Sequence, residues 1–474
     1  MIIGRRKEIL KLQNAYKDDK SHLIAVSGRY RVGKTFLINE TFNNNFTFKV
    51  KGIVQGNRNQ HLLNFYNSLI SLGYEGRIPE NWIEAFYEFS RILEKNKDER
   101  KVLFFDELSW MDTPKSDFLM ALENFWNNWA CPRHDIVLII CGSSPSWILN
   151  KIIHNKGGLY NRLTDTIRLK PFNLYECEQF INKNNLIANK YDILEYYMIL
   201  GGIPFYLEKL QKGLSLSQNI DAMFFDEDPI LEGEFDHLFA SIFKKPKDYI
   251  QIIKVLAQKK IGMTRQELSK ISGIENSGAF SKKLEELESC GFIRIYRQYG
   301  NKNKDSLIQL IDNFTLFYFR FLNNTHNERN YWSKHIESPE RRAWCGLAFE
   351  RVCLQHINQI IKKLGITGVS SDYCSWHCEA NDNDIKRVSQ IDLLIDRNDR
   401  VINLCEIKYS KEAYEINKEY EQKLRTKLNN FAKVTKTKSS LHLTIISPFG
   451  LKMNNYSNII QSVVTAEDLF TDND

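Results

Sequence analysis

Leu23 to Glu40, LIAVSGRYRVGKTFLINE, constrains this chain more than any other stretch. The apolar run Leu23–Val26 reads as a buried strand, Gly28 to Thr35 spell G-x-x-x-x-G-K-T, and Phe36, Leu37 and Ile38 open a helix. The spacing has a physical cause. Gly28 and Gly33 let the backbone curl so that its N–H groups, with those of Arg31, Val32 and Phe36 as further candidate contacts, face one anion. The helix that follows adds its positive N-terminal dipole. Lys34 then reaches the β- and γ-phosphates of a nucleotide, and the Thr35 hydroxyl binds Mg²⁺.

Lys101 to Trp110 read KVLFFDELSW, a second apolar strand, and it ends in Asp106–Glu107. A phosphate site of this kind needs a carboxylate at a strand end to hold Mg²⁺, which suits Asp106. Glu107 is then placed to polarise the attacking water as general base. An acidic pair after a strand is alone a weak signal; with the glycine-rich loop upstream it describes a nucleotide site built for hydrolysis. Asp135 to Ser144, DIVLIICGSS, form a third buried strand ending in two hydroxyls. Strands alternating with helical stretches (about 1–20, 60–95 and 116–129) predict a parallel sheet with helices on both faces and the ligand at the carboxyl ends of the strands.

At 474 residues the chain has room for about three domains of ~100–200 residues each. Residues that are 43% hydrophobic and 12% aromatic supply the cores. No apolar run approaches the ~18–20 residues of a membrane helix, so no membrane partner is expected. The start, MIIGRRKEILKL, turns charged at once and lacks a signal-peptide core. Nine cysteines lie mostly in apolar strings, which reads as reduced thiols in a cytoplasmic protein. Cys374, His377 and Cys378 come nearest to a metal pattern, but they lack a second ligand pair and the alternation around them is that of a strand. The net charge of +7 is compatible with nucleic acid without requiring it.

Gly4-Arg5, GRYRVGKT, LFFDE, CGSS, the segment LYNRLTDTIRLKPF (Leu159–Phe172) and LGGIPFYLEKL (Leu200–Leu210) together resemble the archaeal-type P-loop ATPases, relatives of AAA+ and STAND proteins. The resemblance implies ATP as the nucleotide. It implies a polar sensor of the γ-phosphate at the third strand end, Ser143 or Ser144, where a plain strand cap is the alternative. It also makes Arg162 a candidate arginine finger, acting in cis or from a neighbour in a homo-oligomer; the competing reading is a surface arginine paired with Asp165.

Residues 173–243 read as a helical lid. From 244 to 325 the order is helix (Tyr249–Gln258), helix (Thr264–Ser272), helix (Ser277–Cys290) and a polar hairpin, the winged-helix arrangement. Ser277, Ser281, Lys282 and Lys283 would face a DNA major groove, and Arg297, Lys302 and Lys304 the phosphates. Glu285, Glu286 and Glu288 on the same helix oppose this, and a protein-contact role stands beside DNA contact.

In residues 326–474 a second chemistry emerges. Glu350 lies on an apolar helix, Asp392 on the strand QIDLLI, and Glu406 and Lys408 on VINLCEIKY. Residues two apart on a strand share a face. The set Glu350, Asp392, Glu406 and Lys408 resembles the PD-(D/E)XK nuclease core, with Ile391 where the motif name has proline. That implies Mg²⁺ or Mn²⁺ on Glu350, Asp392, Glu406 and the Ile407 carbonyl, with Lys408 stabilising the attacked phosphate.

The expected architecture is therefore an α/β multidomain chain: a P-loop ATPase core (1–172), helical lid (173–243), winged helix (244–325) and C-terminal restriction-endonuclease-like α/β domain (326–474). The expected function is ATP hydrolysis coupled to DNA binding and metal-dependent phosphodiester cleavage. The rivals are a nucleotide-gated switch with an idle nuclease fold and a remodelling ATPase without a nucleic-acid partner.

Overall fold

The computed structural model describes residues 2–153, 158–159, 161–300, 306–323, 328–378 and 389–472. The chain divides into two compact units, one made of Met1–Pro171, Phe235–Tyr249 and Ser281–Gly291, the other of Phe172–Glu234, Ile250–Phe280 and Phe292–Asp474. The division after Pro171 lies one residue from the boundary expected at 172. Most of the segment expected as a lid groups with the C-terminal residues, and the segment expected as a winged helix is shared between the units.

The first unit holds β1 (His22–Gly28), β2 (Phe48–Lys51), β3 (Lys101–Asp106), β4 (Ile136–Gly142) and β5 (Asp165–Leu169), all parallel, in the order β2-β3-β4-β1-β5. Every residue of β3 and β4 is buried, which explains why these strands are continuous apolar runs without alternation. The helical stretch expected over 60–95 is two helices, Arg58–Ile70 and Trp82–Lys95. Gly73, Gly76 and Pro79 interrupt it, and Asn81 restarts it by accepting the Glu84 N–H at its side-chain oxygen. The helix expected from 116 begins at Phe118 and widens into a π-helical turn over Phe125–Ala130. The core beside the sheet is aromatic. Phe48 and Phe89 rings lie 4.3 Å apart and Phe65 meets Trp82 at 5.5 Å. Each such buried ring contributes about 2–3 kcal/mol through apolar burial.

In the second unit β6 (Met263–Thr264), β7 (Ile293–Tyr296) and β8 (Leu307–Leu310) form an antiparallel sheet in the order β6-β8-β7. The larger sheet of this unit contains β9 (Ser371–Cys378), β10 (Ser389–Arg397) and β11 (Val401–Ile407). A short parallel pair, β12 (Tyr414–Glu415) and β14 (Leu451–Lys452), flanks β13 (Ser440–Ile446), and β15 (Ser462–Val464) closes the edge. The larger sheet runs β15-β13-β11-β10-β9, antiparallel between β9, β10 and β11 and parallel from β11 onward. Ile402 and Leu404 on one face of β11 pack in a single cluster with Leu424 and Phe431 of the helix Lys418–Thr435.

Two buried polar arrangements join the helices of this unit. The Arg341 guanidinium meets Glu195 at 3.1 Å and stands 4.2 Å from the Trp332 ring, while Glu195 also accepts from the Tyr409 hydroxyl at 2.7 Å. His356 is fully buried, and burial pushes its imidazole down to about 4. The neutral ring donates from Nδ1 to the Val352 carbonyl (2.8 Å) and accepts the Leu174 N–H at Nε2 (3.0 Å).

Of the basic groups expected to meet DNA, Lys283 is engaged within the protein, whereas Lys282 and Arg297 are exposed. Lys283 pairs with Asp248 at 3.4 Å, Tyr249 donates to Glu286, and Arg168 donates to the Ser289 carbonyl at 3.2 Å, all within the first unit. The start of the hairpin loop is bound to the larger sheet of the second unit: the Tyr299 N–H donates to the Ser375 carbonyl at 2.8 Å, and its ring meets Phe431 at 5.2 Å. Lys302 and Lys304 lie outside the described residues.

Candidate nucleotide-binding site

The carboxyl ends of β1, β3 and β4 converge on one bonded cluster. Gly28 closes β1 against Leu169 of β5, where a Cβ would come within 2.5 Å of the Leu169 carbonyl oxygen. Arg31 (φ 68°) and Gly33 (φ 90°) turn through the left-handed region, so the chain wraps a concave face before the helix Lys34–Thr41 begins. Val32 is buried beneath this loop and Phe36 is half exposed. Lys34, only 5% exposed, donates to the carbonyls of Gly28 and Arg29 at 3.0 Å each and to the Ser143 hydroxyl at 2.9 Å. These are three neutral oxygens around one ammonium, an arrangement that phosphate oxygens can replace with a gain in charge pairing.

Thr35 donates from Oγ1 to Asp106 Oδ2 at 3.0 Å. A hydroxyl and a carboxylate held that close, with Asp106 itself buried, are the oxygen donors a hard divalent cation takes. Glu107 sits at φ 50°, ψ 44°, a left-handed conformation that costs an ordinary residue about 1–2 kcal/mol. What holds it there is β4: the Ser143 N–H donates to Glu107 Oε2 at 3.1 Å, and the Ser143 hydroxyl donates to Oε1. Of the two candidate serines, Ser143 links Lys34 to Glu107, whereas the Ser144 hydroxyl lies 3.4 Å from the Ser146 hydroxyl. Arg162 is exposed on the turn before β5, apart from this cluster's bonds, and Asp165 pairs with Lys11 at 2.7 Å.

The second acidic set is arranged less simply. Leu393 on β10 pairs with Cys405 on β11, and Asp392 and Glu406 are the next residues outward on each strand. Their carboxylates have separate partners. Glu406 is met by Lys408 (2.9 Å), Lys427 (2.7 Å) and the Tyr420 hydroxyl (2.6 Å). Asp392 accepts from Gln390 at 2.6 Å and lies 3.7 Å from the Lys260 ammonium, whose shorter contact is Glu350 at 2.7 Å. Among the described residues no three His, Cys, Asp or Glu side chains converge on a metal position, in this set or around Cys374, His377 and Cys378. Lysines fill the places at which Glu350, Asp392 and Glu406 were expected to hold Mg²⁺. Sequence reasoning missed Lys260, Lys427 and Tyr420; helical spacing from Tyr420 to Lys427 puts both on one helix face, but nothing in the sequence aims that face at Glu406.

Burial alone would raise the Glu406 carboxyl, but Lys427 and Lys408, with the Tyr420 hydrogen bond, outweigh it and hold it down at about 2. A depressed carboxyl stabilises the fold fully above its ordinary value of 4.5, and that stability drains away as pH falls toward 2. We expect about 3 kcal/mol to be lost across this window. Acid titration of thermal stability should show it in the wild type, and Glu406→Gln should flatten that part of the curve. Equal slopes in both proteins would refute the assignment.

Cys131, Cys141, Cys290, Cys345, Cys353, Cys374 and Cys405 are free thiols, and among the described residues no helix is long and apolar enough to cross a membrane. Comparison with known proteins bears on the first site. An uncharacterized protein of Methanocaldococcus jannaschii is 26% identical over 368 residues, covering 76% of this chain and 78% of its own. Among solved structures, a Walker-type ATPase of Pyrococcus abyssi is 17% identical and covers 68% of this chain and 96% of its own, with a TM-score of 0.47. The ORC2 protein of Aeropyrum pernix, in ADPNP–ADP complexes, is 12% identical and covers 74% and 95%, with a TM-score of 0.44. Residues 2–210 match the family described as the ATPase domain predominantly from Archaea, and over that span the chain carries an archaeal-type ATPase domain.

Proposed function

We propose that the chain binds and hydrolyses ATP at the Lys34 cluster and that nucleotide state governs what its C-terminal module does. The observation that carries this is the single bonded set Lys34, Ser143, Glu107, Asp106 and Thr35 at three adjoining strand ends. ATP phosphates displace the three neutral oxygens around Lys34, and the Ser143 hydroxyl, freed from Lys34, turns to the γ-phosphate. Thr35 and Asp106 would hold Mg²⁺, which when bound neutralises charge on the β- and γ-phosphates. Glu107, released from Ser143, takes a proton from the attacking water. Arg162 completes the charge stabilisation in this reading, and its exposure suits delivery from a second copy. Glu107→Gln should keep ATP affinity within about threefold and lower kcat about 10²–10⁴-fold. Nucleotide titration beside a phosphate-release assay separates the two effects; a variant that hydrolyses at the wild-type rate would sink the role given to Glu107.

For the C-terminal module, the neighbouring Asp392 and Glu406 support a PD-(D/E)XK-like site acting on DNA with Mg²⁺ or Mn²⁺. The second reading, a nucleotide-gated switch with an idle nuclease fold, is favoured by one observation: every carboxylate of the set already faces a lysine. In either case the segment 244–325 is read as a winged helix. The engagement of Lys283 and Tyr299 within the protein favours its protein-contact role over DNA contact.

A further inference from the structure

Resting on the reading of Asp392, Glu406 and Lys408 as a nuclease-like set, we infer that Lys260 is a tethered cation that locks this site. Its ammonium occupies the ground between Glu350 and Asp392, and a divalent metal enters only when the segment carrying Lys260 withdraws. The ammonium stands 2.7 Å from Glu350 and 3.7 Å from Asp392. Glu350 is buried while the Lys260 side chain is 44% exposed, so the ammonium caps a shielded carboxylate from the solvent side.

The backbone of the same residue is fastened as well. The Lys260 carbonyl accepts from Arg351 Nη2 and from Gln309 Nε2, each at 2.6 Å, and the Ile261 carbonyl accepts from the Tyr296 hydroxyl at 2.7 Å. Arg351 is itself buried. A flexible lysine is thereby fixed at both ends, in the connection between the helix Lys247–Leu256 and β6, ahead of the C-terminal module it blocks. The cavity bounded by Lys260, Glu350, Trp376, Asp392 and Ile407 has a volume of about 20 Å³, room for a water and not for a phosphodiester.

Three lysines thus face three carboxylates, but they are not equivalent. Lys408 follows β11 and Lys427 belongs to the helix Lys418–Thr435, so both move with the module. Among the described residues, Lys260 is the lysine that reaches these carboxylates from a segment outside β9 to β15 and their helices. Removing it strands two carboxylates side by side, one of them buried. Another cation is then the natural occupant of the space between them.

The test is a Mn²⁺ titration of the full chain without nucleotide, read by the electron paramagnetic resonance of free Mn²⁺. Lys260→Met should gain about one Mn²⁺ site per chain, at least about tenfold tighter than any in the wild type. Lys260→Met/Asp392→Asn should lose it, and Lys260→Arg should behave as the wild type. Should methionine prevent folding, Lys260→Gln keeps the stem and the backbone bonds and serves in its place. The lock is overturned if these variants bind Mn²⁺ no better than the wild type, or if the wild type already binds it in an Asp392-dependent way. Incubation with plasmid DNA and Mn²⁺ tests the underlying reading separately. Cutting by Lys260→Met that vanishes on adding Lys408→Ala supports a nuclease, whereas Mn²⁺ gained with DNA left intact upholds the lock and removes the nuclease.

Discussion

Lys34→Ala is expected to weaken ATP binding by about 10²–10⁴-fold and to abolish hydrolysis. The ammonium is almost fully shielded from solvent and donates three hydrogen bonds that converge on one point. On nucleotide binding at least two of these become bonds to phosphate oxygens, worth about 1.5–3 kcal/mol each because both partners are charged. Losing two amounts to about 3–6 kcal/mol, which is the stated range of affinity. Folding should survive, since the three oxygens left behind are two strand-end carbonyls and a hydroxyl that water can reach once the side chain is cut back. Titration with a fluorescent nucleotide and a phosphate-release assay measure the two effects. Wild-type turnover in this variant would move the nucleotide site elsewhere on the chain.

Arg341→Leu should destabilise the second unit by about 3–5 kcal/mol, the range found when one partner of a buried ion pair is removed. Both members of the pair are nearly inaccessible, the Arg341 side chain at 6% and that of Glu195 at 11%. The leucine would leave the Glu195 carboxylate with tyrosine hydroxyls, Tyr409 and Tyr191, and no cation among the described residues. For a unit of this size the melting transition should fall by roughly 10 °C. The double substitution Glu195→Leu/Arg341→Leu should recover most of that, because no buried charge is then stranded. Calorimetry on the four proteins of the cycle checks it; an additive double variant would show that the two side chains do not depend on each other.

The bonded cluster proposed as the nucleotide site was legible in the sequence because most of its residues lie side by side along the chain. Lys34 and Thr35 are fixed by one octapeptide, and Asp106 and Glu107 by the end of one strand, so spacing alone placed four of the five bonded residues. Ser143 needed the structure, since its bonds to Lys34 and Glu107 distinguish it from Ser144. The second set was legible as far as the hairpin that brings Asp392 beside Glu406. Its counter-ions were not, because Lys260 lies 90 residues from Glu350 in sequence and no periodicity records such a contact. The same limit hid the Glu195–Arg341 pair, whose members are 146 residues apart. Breaks at Gly73, Gly76 and Pro79 were visible in principle; apolar spacing on both sides of them concealed the interruption.

Arg168 stands opposite Ser27 in the pairing of β1 with β5, one residue before the glycine-rich loop, and its guanidinium grips the last turn of the helix Gly278–Ser289. That makes β5 a crank. A shift of the β1 end would pass across one rung of the sheet to an arginine, and from there to the far tip of a helix more than a hundred residues downstream.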